Sequence, residues 1–247
     1  MNNEPFVAWR WPDGPLRASV ITSKLIGLTL VVALAGAARR GLPLGDLYAL
    51  KAAVLFAAIV GLSIGFLQQH HPFAQFGAAN QITTLRAILV ALVAALVGEP
   101  REPLVANAAV AATVAITLLD GVDGWLARRQ GIASRFGARF DMEIDALLIL
   151  ALSVLAWRGG KAGAWVLASG LLRYAFVAAG RLAPWLRAPL PPSRRRQTVC
   201  VVQIAALTIT ILPAVEPAIS APIAAAALVA LSASFLVDTV WLWRQPA

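Results

Sequence analysis

Residues 104–128 read LVANAAVAATVAITLLDGVDGWLAR and combine a long apolar run with acidic residues at its end. No charged side chain occurs between 104 and 119. With a further turn from neighbouring residues, this apolar run is long enough to cross a hydrocarbon core of about 30 Å as a helix. The run ends at Asp120, so the sequence predicts a membrane helix that carries acidic groups at one end.

The composition of the whole chain agrees with a membrane protein. Of its 247 residues 60% are apolar and 13% are charged, and the mean hydropathy is +0.76, whereas a soluble domain is nearer half apolar and a quarter charged. A single cysteine, Cys200, excludes an internal disulfide and a thiolate metal cluster, and we expect it to act as a small apolar residue. The net charge is +9, and the basic residues lie mostly between the apolar runs. This arrangement indicates residues that set membrane topology and contact anionic lipid, and it does not favour nucleic-acid binding.

Apolar runs of about 20 residues predict about eight transmembrane helices. Glycine and proline pairs such as Gly159-Gly160 and Pro191-Pro192 separate them, as is typical of helix ends. The predicted fold class is therefore all-α, a polytopic membrane helix bundle. The spans are predicted at 19–38, 47–67, 82–98, 104–119, 142–157, 162–182, 198–214 and 219–240.

Basic residues predict the orientation of the bundle. If the N-terminus is cytoplasmic, the inner segments hold most of the arginines, including the run Arg194–Arg196, and the outer loops hold few. Because cytoplasmic loops carry an excess of Lys and Arg, we expect both termini on the inner side.

Four aspartates follow the fourth predicted helix and begin the fifth. On a helix, Asp120 and Asp123 share a face at i and i+3, and Asp141 and Asp145 share one at i and i+4. Four carboxylates at a membrane border are costly unless cations compensate them. Hard oxygen donors without nearby His or Cys suit Mg²⁺ or Mn²⁺, and their charge can balance two such ions.

Small residues and an arginine accompany these acids. Gly124, Ala127 and Gly137 would let a nucleotide lie close to the backbone, and Arg128 offers donors to a phosphate oxygen. The alternative interpretation is a solvated loop whose acids offset neighbouring arginines. The number of specified positions in the pattern D-x-x-D-G-x-x-A-R-x8-G-x-x-x-D-x-x-x-D, complete from Asp120 to Asp145, favours a site.

This pattern resembles the signature of the CDP-alcohol phosphatidyltransferases. The segment from Asn80 to Arg86 is also similar to the start of that family's first core helix, which often reads N-x-x-T-x-x-R. The resemblance covers about residues 78–243, or six of the eight helices. It divides the chain into an N-terminal extension with two transmembrane helices (1–78) and a six-helix catalytic core (79–247).

The resemblance implies a membrane enzyme that transfers a phosphatidyl group from a CDP-linked donor, such as CDP-diacylglycerol, to an alcohol and releases CMP. Asp120 and Asp141 would bridge two metal ions, Asp123 would complete the first, and Asp145 would complete the second and accept the proton of the attacking hydroxyl. The residues implied to hold the CDP moiety are Asn80, Gln81, Ile82, Thr83, Gly124, Arg128 and Ser134. A homodimer in a bacterial-type inner membrane, with its active site facing the cytoplasm, is also implied.

The acceptor alcohol is open at this stage. Arg173 lies inside an apolar run, and Arg181 and Arg194 belong to a basic cluster; any of them could bind an acceptor phosphate, or act as a buried partner or a topology signal. These arginines slightly favour glycerol phosphate or inositol phosphate over serine or choline, because anions gain from guanidinium groups.

Two other functions remain open. A membrane prenyltransferase also uses aspartates at helix ends to hold Mg²⁺ and diphosphate, but usually in two separate motifs. A metal-ion transporter could use the same acids as a relay, although such residues usually lie near the bilayer midplane within broken helices.

Overall fold

The regular secondary structure in the described part of the chain is entirely helical. The computed structural model describes residues 14–70, 76–130 and 135–245, with side chains in 16–63, 76–122 and 136–245. These ranges contain eight α-helices, two short 3-10 helices and no strand, which confirms the predicted all-α fold class. The helices are α1 (Gly14–Gly41), α2 (Tyr48–His70), α3 (Ala78–Ala95), α4 (Pro103–Gln130), α5 (Arg135–Arg158), α6 (Leu167–Leu182), α7 (Arg194–Ile211) and α8 (Pro217–Trp243).

Four of these helices have the length and apolarity needed to cross a bilayer. Among the described residues they are the segments Leu16–Gly41, Ala78–Ala95, Pro103–Val122 and Pro217–Trp243, while α2 contributes a shorter apolar stretch. Helices α5, α6 and α7 differ from these four. Helix α5 carries charged residues in its first half, α7 carries them in its first turn, and α6 is only 16 residues long. The polytopic bundle is confirmed, and crossing by the remaining predicted spans stays a prediction.

Helix ends fall close to the predicted breaks. Gly98 and Gly160 adopt positive φ angles of 88° and 70°, a conformation that favours glycine. Because residues 96–98 form a turn, α3 ends before its predicted limit. A 3-10 helix, Ala164–Val166, replaces the predicted start of the sixth span. By contrast α5 begins well before residue 142, so Asp141 and Asp145 lie inside it.

The chain forms two compact units, Met1–Val105 with Ala111–Ile144, and Ala106–Val110 with Asp145–Ala247. The first unit contains α1, α2, α3, most of α4 and the first turns of α5. The second contains the rest of α5 and the helices α6, α7 and α8. The division of the sequence into an extension (1–78) and a core (79–247) concerns the resemblance to the family, and it stays a prediction.

In the first unit, α1, α2 and α3 pack against one another. Gly27 allows α1 to approach α2, because a Cβ at this position would lie 2.7 Å from the ring of Phe56. Phe76, Phe136 and Phe140 form an aromatic cluster with ring centroids 6.1 and 5.7 Å apart. The N-terminal helices therefore pack directly on α3 and belong to its unit.

Polar contacts also connect two loops of this unit. Glu99, between α3 and α4, accepts hydrogen bonds from Lys51 and from the backbone N–H of Gly45, the latter at 2.6 Å. Lys51 also donates to the carbonyl of Val97 at 3.3 Å. Burial raises the pKa of the Glu99 carboxyl, but these hydrogen bonds and the charges of Lys51 and Arg39 outweigh it and hold the pKa below its ordinary value.

In the second unit, α7 and α8 form an antiparallel pair. Lys161 donates to the carbonyl of Leu212, at the end of α7, at 2.9 Å. The Ser220 hydroxyl, in the first turn of α8, donates to the carbonyl of Lys161 at 2.7 Å. At the opposite end of the pair, Arg195 of α7 forms an ion pair with Asp238 of α8. Polar contacts therefore hold both ends of the pair.

Replacing Gly170 of α6 by alanine should destabilise the second unit. A Cβ there would lie 2.5 Å from the Cα of Leu150, so α6 would have to move away from α5. We expect a loss of about 1–3 kcal/mol, measured as a lower midpoint of thermal unfolding in detergent. The matched control is Gly36→Ala, since a Cβ there meets nothing within 4 Å. Equal midpoints for the two variants would contradict this packing.

The contribution of Glu99 to stability should depend on pH. Because the folded protein lowers the pKa of this carboxyl, the stabilisation is present above the unfolded-state pKa of about 4.3 and is lost as the pH falls through the folded-state value. Glu99→Gln should therefore unfold at a lower temperature than the wild type at pH 7, and the difference should shrink below about pH 4. A difference that stayed constant down to pH 3 would show that the charge of Glu99 is not what stabilises the loops.

Candidate functional site

Three of the predicted acidic residues come together from two helices. Asp120 belongs to α4, and Asp141 and Asp145 lie one turn apart on the continuous helix α5. One carboxylate oxygen from each of the three lies within 4.8 Å of the others. We call these three residues the acidic site.

Arg86 of α3 supplies a positive charge to the acidic site. Its Nη1 lies 2.8 Å from Oδ1 of Asp120 and donates a hydrogen bond to Oδ1 of Asp141. The side chain of Arg86 is 1% exposed, whereas those of Asp120 and Asp141 are 35% and 37% exposed. The guanidinium is therefore buried, and both carboxylates keep an accessible part.

The donors of the acidic site fit a divalent cation. Arg86 can balance only part of the charge of three carboxylates. Carboxylate oxygens are the hard ligands that Mg²⁺ and Mn²⁺ prefer, and three of them within 4.8 Å can reach one ion. The residues present therefore fit the kind of metal that the sequence predicts.

The polar residues predicted to hold CDP begin helix α3. Asn80 is buried, and its amide nitrogen donates to the backbone carbonyl four residues earlier at 2.5 Å. The hydroxyl of Thr83, also buried, donates to a carbonyl of the preceding turn at 3.1 Å. Gln81 is exposed and Ile82 is half-buried. Contact of these four residues with a donor stays a prediction.

Several predicted site residues lie outside the described side chains. Backbone positions 123–130 belong to α4, but their side chains are not among those described, and residue 134 lies outside the described ranges altogether. Gly137 is half-buried in the first turn of α5, one turn before Asp141. The residues concerned are Asp123, Gly124, Ala127, Arg128 and Ser134.

The arginines suggested for the acceptor differ in their surroundings. Arg173 is half-buried on α6, Arg181 is exposed near its end, and Arg194 is exposed in the first turn of α7. Their role as acceptor ligands stays a prediction. The two neighbours of Arg194, at positions 195 and 196, both pair with the carboxylate of Asp238 instead.

Sequence reasoning assigned no role to two cations of the first unit. Arg86 lies in the segment resembling the family's first helix, and Lys24 lies within the apolar helix α1. The signal that could have identified both is a charge inside an otherwise apolar membrane helix. Cys200, expected to act as an apolar residue, has its Sγ 3.8 Å from Oδ2 of Asp145.

Comparisons with known proteins match most of the chain to one family. A sequence model of the CDP-alcohol phosphatidyltransferase family matches residues 76–238. Two curated relatives from strains of Mycobacterium tuberculosis, both named probable phosphatidylglycerophosphate synthase, are 32% identical over 170 residues, which is 66% of this chain and 76% of each relative. No solved structure gives a significant match.

Replacing Arg86 by methionine should destabilise the protein by about 1–3 kcal/mol, because Asp120 and Asp141 lose a hydrogen-bonded cation. Added Mg²⁺ should recover part of the loss, since an ion can take over the compensation of charge. Thermal unfolding in chelator and in Mg²⁺ measures both effects. The control is Arg158→Met, which removes an exposed arginine from α5, the helix of Asp141. An unchanged midpoint for Arg86→Met in chelator would contradict the role of this ion pair.

Proposed function

This chain belongs to the CDP-alcohol phosphatidyltransferase family, and we propose that it transfers the phosphatidyl group of CDP-diacylglycerol to an alcohol and releases CMP. Its family and its apolar helices make it an integral-membrane transferase of phospholipid synthesis. The observation that supports the proposed reaction is the convergence of Asp120, Asp141 and Asp145 beside the buried Arg86.

The acidic site is the proposed location of two divalent cations, Mg²⁺ or Mn²⁺. Asp120, Asp141 and Asp145 would hold them, and the family signature adds Asp123 as a fourth ligand. When bound, two such ions supply positive charge that stabilises the attacking and leaving oxygens of a displacement at phosphorus.

Asp145 is the proposed general base. A carboxylate at this position can accept the proton of the acceptor hydroxyl while the new oxygen–phosphorus bond forms and the bond to CMP breaks. Arg86, through its contacts with Asp120 and Asp141, orients the two carboxylates next to that base. Asn80, Gln81, Ile82, Thr83, Gly124, Arg128 and Ser134 remain the proposed CDP contacts.

The proposed acceptor is glycerol phosphate, with inositol phosphate as the second candidate. Both curated relatives are named probable phosphatidylglycerophosphate synthase, which supports the first. A phosphorylated polyol also suits arginine ligands, because guanidinium groups bind phosphate through charge-assisted hydrogen bonds. Of the suggested residues, Arg181 and Arg194 are exposed and Arg173 is half-buried.

We place the enzyme in a bacterial-type inner membrane, with the acidic site toward the cytoplasm, and a homodimer is its proposed assembly. The support for this orientation is the excess of arginine in the segments predicted to lie on the same side of the membrane as the acidic site. Membership of this family argues against prenyl transfer and ion transport, the two other functions that the sequence left open.

The proposal predicts which charges are needed for turnover. Asp145→Asn should reduce CMP release by about 10²–10⁴-fold, the usual contribution of a positioned base. Glu143→Gln is the matched control, because it removes the same charge from the same helix outside the acidic site. The assay supplies purified protein with radiolabelled CDP-diacylglycerol, Mg²⁺ and a panel of alcohols, and identifies the lipid formed.

Glycerol 3-phosphate should give the fastest labelling, and a chelator should abolish it. Undiminished turnover by Asp145→Asn would contradict the role of this residue as the base. Labelling of no alcohol by an intact, folded wild-type protein would contradict the proposed reaction.

A further inference from the structure

Lys24 is a buried cation on a helix outside the family match. It lies in α1, whereas the match begins at residue 76. The side chain of Lys24 is 7% exposed, and its Nζ donates a hydrogen bond to Oγ1 of Thr84 at 2.8 Å. The ammonium also lies 4.7 and 4.8 Å from the ring centroids of Phe76 and Phe140.

These contacts do not include an anion. An ammonium has three N–H donors, and the described side chains offer Lys24 one hydroxyl oxygen and two aromatic faces but no carboxylate. Lys24 lies within the membrane-spanning segment Leu16–Gly41. A charge in such a segment without a counter-ion is costly, and it makes the residue a candidate for a functional site.

Lys24 is also close to the acidic site along two helices. Its hydrogen-bond partner Thr84 lies two residues before Arg86 on α3, and Phe140 directly precedes Asp141 on α5. Two of the groups that contact Lys24 therefore lie close to Arg86 and Asp141 in sequence, on the helices that carry these two residues.

A groove of about 490 Å³ lies between α1 and α3, and one of the residues that line it is Thr84, which accepts the hydrogen bond of Lys24. Its walls are polar toward the N-terminal ends of the two helices and apolar further along them. The polar part includes Ser19, Ser23, Gln81 and Thr84, and the apolar part includes Leu30 and Ile88. The groove thus offers hydroxyl and amide groups to a head group and aliphatic side chains to an acyl chain.

We propose that this groove binds the lipid donor, with Lys24 contacting the phosphate attached to diacylglycerol and an acyl chain lying along the apolar part. A phosphate oxyanion supplies the negative charge that the described neighbours of Lys24 lack. The N-terminal helix α1 would thereby complete the donor site of the core. The identity of the donor rests on the proposed function.

The test measures binding without turnover. The probe is phosphatidic acid, which is phosphorylated diacylglycerol without cytidine, compared with uncharged diacylglycerol of the same chains. Binding to the full-length protein in detergent, with chelator present, is measured by native mass spectrometry. The wild type should prefer phosphatidic acid, and Lys24→Met should reduce this preference by about 10–100-fold, the value of a hydrogen bond between charged groups.

Three variants separate binding from folding. Lys24→Arg keeps the charge and should keep most of the preference. Lys51→Met removes a lysine of α2 that pairs with Glu99, so it should lower stability without changing the preference. Ser23→Trp fills the groove and should weaken retention of both lipids.

A Lys24→Met protein with the wild-type preference would overturn the proposal, and so would an equal loss in Lys51→Met. Unaltered retention of both lipids by a folded Ser23→Trp protein would overturn the assignment of the groove. Because no alcohol and no metal take part, these results do not depend on whether the protein releases CMP. With turnover, Lys24→Met should raise KM for CDP-diacylglycerol far more than it lowers kcat.

Discussion

The ion pairs of Arg86 with Asp120 and Asp141 are the interaction on which the site depends. They join α3, α4 and α5 within one compact unit and place a guanidinium against carboxylates that would otherwise repel one another. At a membrane border such acids are costly without cations. Arg86 is buried and stabilises the two carboxylates from the protein interior. The carboxylates themselves stay partly accessible, so they can bind further cations from outside.

Much of this architecture could be predicted from the sequence. Apolar runs locate eight helices, and the i, i+4 spacing of Asp141 and Asp145 gives them one face of α5. Periodicity does not reveal which helices are neighbours, so the contact of Arg86 with both aspartates was not predicted. The early start of α5 was missed for a different reason, since its charged first turns hide the helix from an apolar-run criterion.

The N-terminal helices show two kinds of attachment to α3. At the loops, Glu99 accepts hydrogen bonds from Lys51 and Gly45, and the ion pair is complete within the protein. Lys24 contacts the hydroxyl of Thr84 and the rings of Phe76 and Phe140, and none of its described contacts is a carboxylate. The ion pair of Glu99 is complete within the protein, whereas a lipid phosphate would supply the negative charge that the described neighbours of Lys24 lack. This difference supports the binding role proposed for Lys24.

In the proposed phosphatidyl transfer, Asp120, Asp141 and Asp145 jointly hold divalent cations. Anomalous X-ray scattering from crystals of the full chain, grown with Mn²⁺ and CDP-diacylglycerol, tests this arrangement. We expect anomalous peaks in contact with oxygens of all three carboxylates. Mn²⁺ bound elsewhere in an active protein, with these three side chains free of metal, would contradict it.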